Sequence, residues 1–253
     1  LFNVHGRDLD GGSRTFRANA IAPGGGLIAG FDRLEAAQDA VQNLNVENLG
    51  ASLRVEADRG YGVITSITAW ESVRLDARGD VDGGFGAVFA PPSGPGFIPF
   101  SAETADNITG HDQFTQELRL AFNPRADVEA TLGFFGFYEE LELENISYDT
   151  LAGSVENAFG TQNQETTALA LFGAASWAAS KRLTVSGGLR ISVEEREFQA
   201  ERLLGPFGAP PLGPLEESLD DTALTGDFSL DYALSEELSV YGRYARGFRA
   251  PNA

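Results

Sequence analysis

The 253-residue chain contains no cysteine. That excludes a disulfide framework, thiolate metal ligands and a thiol nucleophile. It contains no methionine, so its initiator is missing and the sequence is expected to be processed or cut from a longer polypeptide. Leu1 follows no charged n-region or apolar h-region, and no signal peptide is visible. The only histidines, His5 and His111, are far apart in likely loop positions by composition. A zinc site needs three or four suitably spaced ligands, so no metal site is expected. Positive charge is scarce: 18 Lys+Arg stand against 37 Asp+Glu, for a net charge of -19. Lys181 is the lone lysine. This balance argues against nucleic-acid binding, which needs a basic face to displace counterions from phosphates. Long hydrophobic runs are also missing. The longest, Ala168–Ala179, spans about a dozen residues, and a spanning helix needs ~20. The chain is therefore either soluble or a membrane β-barrel, in which half of each strand can be polar.

Enzyme signatures are absent too. Gly24-Gly25-Gly26 lacks the trailing Lys-Ser/Thr of a phosphate-binding loop, and no G-x-S-x-G elbow occurs. Asp76, Asp80 and Asp82 sit in a Gly-rich stretch resembling the opening of a calcium loop. Gly occupies the fifth position and the closing Glu is missing, so the reading is a solvated acidic loop. No cofactor and no catalytic residue is expected.

What is present is alternation. Thirty glycines and 10% aromatics fit a β-rich chain. In Arg182–Glu195, Leu183, Val185, Gly187, Leu189, Ile191 and Val193 fall on one face, with Thr184, Ser186, Gly188, Arg190, Ser192 and Glu194 on the other. No helix gives that pattern. The same two-faced reading covers Glu47–Asp58, Tyr61–Arg74, Asp112–Phe122, Thr222–Ala233 and Glu237–Arg249, and less cleanly Asp127–Leu143 and Glu165–Ala178. Gln116 is an exception on an apolar face. About eight strands result. Their connections alternate between tight turns, at Asp58–Gly60, Asn123–Ala126, Ala179–Lys181 and Leu234–Glu236, and long ones, at Leu75–His111, Glu144–Gln164 and Gln199–Asp221. A soluble sheet has no reason for such alternation, since its loops have a median of about 4–6 residues. An outer-membrane barrel has short periplasmic turns and long outer loops. The fold expected is all-β: an antiparallel, up-and-down sector of a transmembrane barrel. Residues 1–46 are expected to form an extracellular loop, and 47–253 a partial barrel domain. Within the former, Leu34, Ala37, Val41 and Leu44 share a helical face, and Asp32 with Glu35 resembles a capping box, which predicts a short helix over Asp32–Leu44. The Pro/Gly-rich stretches Asp80–Phe100 and Leu203–Leu215, with Pro91-Pro92 and Pro210-Pro211, read as irregular.

Four strand-like segments carry a family resemblance. Gly62–Trp70 (GVITSITAW), Phe114–Leu120 (FTQELRL), Leu183–Arg190 (LTVSGGLR) and Leu230–Asn252 (LDYALSEELSVYGRYARGFRAPN) are similar, in order, to strands of TonB-dependent receptors. The resemblance runs from about Arg17 to Ala253. It implies a 22-stranded outer-membrane barrel plugged by an N-terminal domain that takes up a scarce nutrient, foremost a ferric siderophore, powered by an inner-membrane energy-transducing complex. No plug, TonB box or final strands are recognisable here. The chain is therefore expected to be a fragment whose partners are outer-membrane lipid, the plug and remaining strands of its parent, that complex and a small-molecule ligand.

Within this picture Glu117, Arg119, Arg190, Asp227, Asp231 and Arg243 share polar strand faces and are expected to line the lumen, either as a charged ladder or as ligand contacts. Two acidic groups, Glu140, Glu142 and Glu144, and Glu194, Glu195 and Glu197, are expected above the bilayer. Paired carboxylates could serve a glycosidase, but no cleft or pKa-raising neighbour accompanies them. Two rivals remain at the level of sequence: a small self-closed eight-stranded barrel, and a soluble β-sandwich acting as a binding or adhesion module.

Overall fold

The computed structural model describes residues 1–17, 20–22, 24–36, 38–84, 102–149 and 153–248. Among them nine antiparallel strands form one sheet in sequence order. They are β1 (Phe2–Gly11), β2 (Asn43–Asp58), β3 (Val63–Asp80), β4 (Glu103–Arg125), β5 (Val128–Asp149), β6 (Val155–Ala178), β7 (Leu183–Leu204), β8 (Leu212–Ala233) and β9 (Ser239–Arg246). The sheet is up-and-down throughout, and its end strands β1 and β9 do not pair with each other. A self-closed eight-stranded barrel and a two-sheet sandwich are both set aside by this single open sheet.

Alternation in the sequence becomes two chemically distinct faces. One cross-strand row carries Ala51, Trp70, Phe114, Tyr138 and Thr167. A second row, nearer the tight turns, carries Val128, Trp177, Val185 and Leu230. On β5 these rows are ten residues apart (138 − 128). At ~3.3 Å per residue and a tilt near 40°, that separation is about 25 Å, the height of the apolar band of an outer-membrane barrel. Between the rows, from β2 to β8, no charged residue interrupts this face; Leu118, Leu132, Leu171, Leu189 and Leu224 stand exposed on it. Trp177 marks the lower border with a polar handle: its indole Nε1 donates to Asp127 Oδ2 at 2.8 Å. A Trp with one apolar and one hydrogen-bonded end suits a membrane–water interface. On the same face, Glu140 and Glu165 pair one step beyond the upper row, where the sequence placed the acidic group above the bilayer.

The strands run well past this band. β4 to β7 have 23, 22, 24 and 22 residues. They absorb much of what the sequence suggested as long connections: β5 reaches Asp149 and β6 starts at Val155, while β7 reaches Leu204 and β8 starts at Leu212. The stretch Leu203–Leu215 is strand at its two ends, through Leu204 and from Leu212, with a 3-10 turn at Pro206–Gly208 in the irregular segment between. Above the band the formerly apolar face also carries polar residues, so the alternation that marks a strand crossing the band is lost although the backbone ladder continues. Residues 85–101, with Pro91-Pro92, and residues 249–253 lie outside the described residues.

Two local expectations at the N-terminus are corrected. Phe2–Gly11, read as loop, is a strand paired along its whole length with Leu44–Leu53 of β2. No helix forms among the described residues of 32–44. Asp32 Oδ1 accepts from the Leu34 amide at 2.8 Å, closing a turn, and Leu34 is 94% exposed. The amides of Asp39 and Val41, which a helix would have claimed, are taken by distant carboxylates.

Close packing on the polar face is set at Gly133. The Phe172 ring lies where a Cβ at this position would stand. Gly133→Val should force that ring away and lower stability by about 1–3 kcal/mol, a usual cost of overpacking. Urea unfolding of the assembled protein measures this. Gly136→Val, on interior strand β5 where a Cβ would meet only ordinary contacts at 3.6 Å, should shift the midpoint far less.

Candidate functional site

The polar face holds all six residues singled out from sequence, but not as one ladder. Arg119, Gly133, Phe172, Arg190 and Thr225 form a single cross-strand row. Arg119 pairs with Glu117 two residues earlier on its own strand. Arg243 reaches Asp227 across β8–β9 at 3.3 Å. Asp231 stands opposite Thr184 and Tyr241 and joins neither ion pair. Arg190 donates from Nε to Ser192 Oγ at 2.9 Å, and its guanidinium carbon lies 5.4 Å from the Phe135 ring centre and 5.9 Å from that of Phe172.

Several contacts escaped the sequence reading. His5 Nε2 meets Glu71 at 3.1 Å, and the Glu71 carboxylate gets there by lying across Gly50. His111 Nε2 meets Glu139 at 3.1 Å. Gln116, the exception on the apolar face, is not alone. It accepts from Thr68 Oγ1 at 2.6 Å and donates to Ser66 Oγ at 3.1 Å. Cross-strand register makes this possible, and register cannot be read from one strand.

The most buried polar groups gather at the long-connection end of β3, β4 and β5. Asp80 and Glu103 have no solvent exposure and Asp82 has 3%. One extra residue arranges them. In β3 and β5 the even-numbered residues stay on one side from Trp70 to Asp80 and from Tyr138 to Tyr148. In β4 the register shifts between Ile108 and Gly110. This bulge turns Ala105 and Glu103 to the side of Arg78, Asp80 and Tyr148. The Arg74 guanidinium donates to the bulged Thr109 carbonyl.

Glu103 then works as a junction. Its Oε1 accepts from Arg78 Nε at 2.5 Å and from the Val41 amide at 3.2 Å, and Oε2 accepts from Ser154 Oγ at 2.8 Å. The Arg78 guanidinium lies 3.6 Å from the centre of the Tyr148 ring. Asp80 accepts from the amides of Gly83 at 2.7 Å and Asp39 at 3.3 Å. Asp82 accepts from Gly84 at 2.8 Å and Ala102 at 2.6 Å. Three inter-strand connections are thereby held together. Oxygens of Asp39, Asp80 and Asp82 lie within 4.8 Å of one another. Asp76, the third acid of the sequence pattern, instead bonds Asn43. Burial, and then the neighbouring Asp82 charge, raises the Asp80 carboxyl to about 6. Burial and the Asp82 charge raise Asp39 as well.

A β-barrel sector with a charge-free apolar band on one side and a charged face on the other invites comparison with known proteins. Residues 2–253 match the family model for the β-barrel of TonB-dependent receptors. The chain belongs to the TonB-dependent receptor family. This stretch of receptor barrel is 30% identical over 140 residues to the pesticin receptors of Yersinia enterocolitica and Yersinia pestis, covering 54% of this chain and 20% of theirs. It thus spans about a fifth of the length of these curated relatives. Among solved structures it resembles the ferric yersiniabactin uptake receptor FyuA from Yersinia pestis, with a TM-score of 0.64, 19% identity, and coverage of 81% of this chain and 28% of that one. It also resembles the ferric-catecholate import receptor Fiu from E. coli K12, with a TM-score of 0.59, 15% identity, and coverage of 96% and 39%. At these identities the structures speak for the fold alone.

The acidic junction of this receptor sector should respond to pH. Asp80 binds its proton more tightly when buried beside Asp82 than when released to solvent, so the closed junction is favoured on the acid side. Its stability should fall as pH rises from about 4 to about 6, and stay low above that. Hydrogen exchange of the Asp39 and Val41 amides, corrected for intrinsic rates, should show more protection near pH 4.5 than near pH 7. Asp80→Asn should flatten that difference.

Proposed function

We propose that the chain is the central part of an outer-membrane receptor for active uptake of a scarce nutrient, with a ferric siderophore as cargo. The observation carrying this is the charge-free, largely apolar band about 25 Å high, bordered by Trp70, Phe114 and Tyr138 above and Trp177 below, backed by a charged face. The apolar side meets outer-membrane lipid. The tight turns face the periplasm, and the connections beyond Asp80, Asp149 and Leu204, with residues 12–42, face the medium. The charged side lines a lumen.

Lipid does not tolerate unpaired strand edges, because it offers their backbone groups no water. β1 and β9 therefore need further strands of the parent chain to close the barrel. A plug within the lumen and an energy-transducing complex in the inner membrane complete the machine on this reading. The likeness to uptake receptors for ferric yersiniabactin and ferric catecholates supports a siderophore as the cargo class.

The test is deletion of the whole parent gene in its host. Under iron limitation the deletion strain should lose uptake of radiolabelled iron from at least one ferric siderophore, and a plasmid copy should restore it. Unchanged uptake across a panel of hydroxamate, catecholate and mixed siderophores would overturn the cargo assignment.

A further inference from the structure

The three arginines singled out on the polar face differ in one respect. Arg119 and Arg243 each have a carboxylate partner, Glu117 and Asp227. Arg190 has none among the described residues: its only hydrogen-bond partner is the Ser192 hydroxyl, bonded through Nε. Its guanidinium carbon stands over the Phe135 and Phe172 rings, and Phe172 is itself seated on Gly133. Stacking on rings and one bond at Nε fix a guanidinium while leaving its two terminal nitrogens free. Those nitrogens form the fork that binds a carboxylate through two parallel hydrogen bonds. The space beside them is a cleft of about 530 Å³, bordered by Arg190, Ser192, Thr225, Asp227 and Arg243, with Gly188 on its floor. Arg190 lies five residues beyond Val185 of the lower row, near the middle of the band. A cation at that height, facing inward and lacking a counter-charge of its own, is arranged for an anion delivered into the lumen.

We infer that Arg190, stacked on Phe135 and Phe172, is a binding residue for a carboxylate that enters the lumen. This rests on the reading that the polar face lines a lumen. A carboxylate could come from a free molecule or from an acidic side chain of the same polypeptide filling the lumen. The chemistry at Arg190 is the same for both, and the two sources separate by experiment.

The full-length protein is purified from outer membranes as wild type, Arg190→Met, Arg190→Lys and, as control, Arg182→Met at an exposed turn. Each is titrated calorimetrically with benzoate, a carboxylate with a ring to lie against Phe135, and with neutral benzamide. Thermal melting is followed over a range of salt concentrations. If the source is a free molecule, wild type binds benzoate and not benzamide. Arg190→Met should then weaken binding at least about tenfold, the scale of a lost charge-assisted hydrogen bond, with Arg190→Lys between and Arg182→Met unchanged. If the source is the polypeptide itself, wild type excludes benzoate. Arg190→Met should then melt lower than Arg182→Met and lose part of the wild-type salt dependence. Should Arg190→Met not assemble, Arg190→Lys carries the comparison, since it keeps the charge and loses the fork. Identical benzoate response and identical salt-dependent melting in wild type and the Arg190 variants would overturn the inference. The lumen reading is checked separately: a water-soluble maleimide should label Ser192→Cys and spare Ile191→Cys. Labelling of Ile191→Cys instead would remove the lumen reading itself.

Discussion

Everything in this molecule hangs on backbone groups being satisfied sideways. From β2 to β8 each strand has a hydrogen-bonded neighbour on both sides. A strand in such a ladder cannot rotate about its own axis. Once one residue's side is set, all its neighbours along and across the sheet are set too, because side chains alternate with a period of two. That rigidity lets a chain with little core hold two unlike faces. Among the described residues the buried apolar side chains are few, Ala105, Tyr148, Ala170 and Ala223. The face carrying Leu118, Leu132 and Leu171 stays bare, which is a liability in water and an asset in hydrocarbon.

The same rigidity makes a single inserted residue consequential. Without the register shift in β4, Glu103 would point to the side opposite Asp80, and the junction of Glu103, Arg78 and Ser154 could not form. A buried carboxylate is tolerated only when donors surround it. Glu103 has an arginine, a hydroxyl and an amide from three different connections. The bulge thus converts local strand geometry into a tie between distant segments, well above the membrane band.

How much of this was legible in the sequence follows from where the two faces differ. Strands such as Leu183–Arg190 cross the band, so hydrophobicity alternates and they could be read directly. Beyond Tyr138 and Glu195 both faces carry polar groups, and the signal vanishes while the hydrogen bonds persist. That is why Glu144–Gln164 read as a long connection and is largely strand. β1 was missed for a related reason: Phe2 and Val4 alternate with Asn3 and His5, but Gly6 and the acidic residues after it dilute the pattern. The helix expected over Asp32–Leu44 had sound local spacing. It lost to tertiary competition, because Asp80 and Glu103 offer its amides charge-assisted acceptors. Of the six polar-face residues, the side they occupy was legible, since alternation decides it. Their partners were not, since these depend on register between strands.

The near absence of lysine also finds a physical account. The recurring cationic contact in this structure is one between a guanidinium and an aromatic ring. Arg78 lies over Tyr148, Arg125 near Trp177, and Arg190 over Phe135 and Phe172. In two of these the same guanidinium also makes an in-plane hydrogen bond from Nε, to Glu103 and to Ser192. A delocalised guanidinium can stack and donate at once because the two interactions use perpendicular directions, and it is more weakly hydrated than an ammonium. A lysine at position 78 could meet Glu103 or the ring of Tyr148, but not both with good geometry. On a sheet whose side chains stand in fixed rows, a cation that binds in two directions is worth more than one that binds as a point. The composition bias is therefore the imprint of the ladder's geometry on the choice of cation.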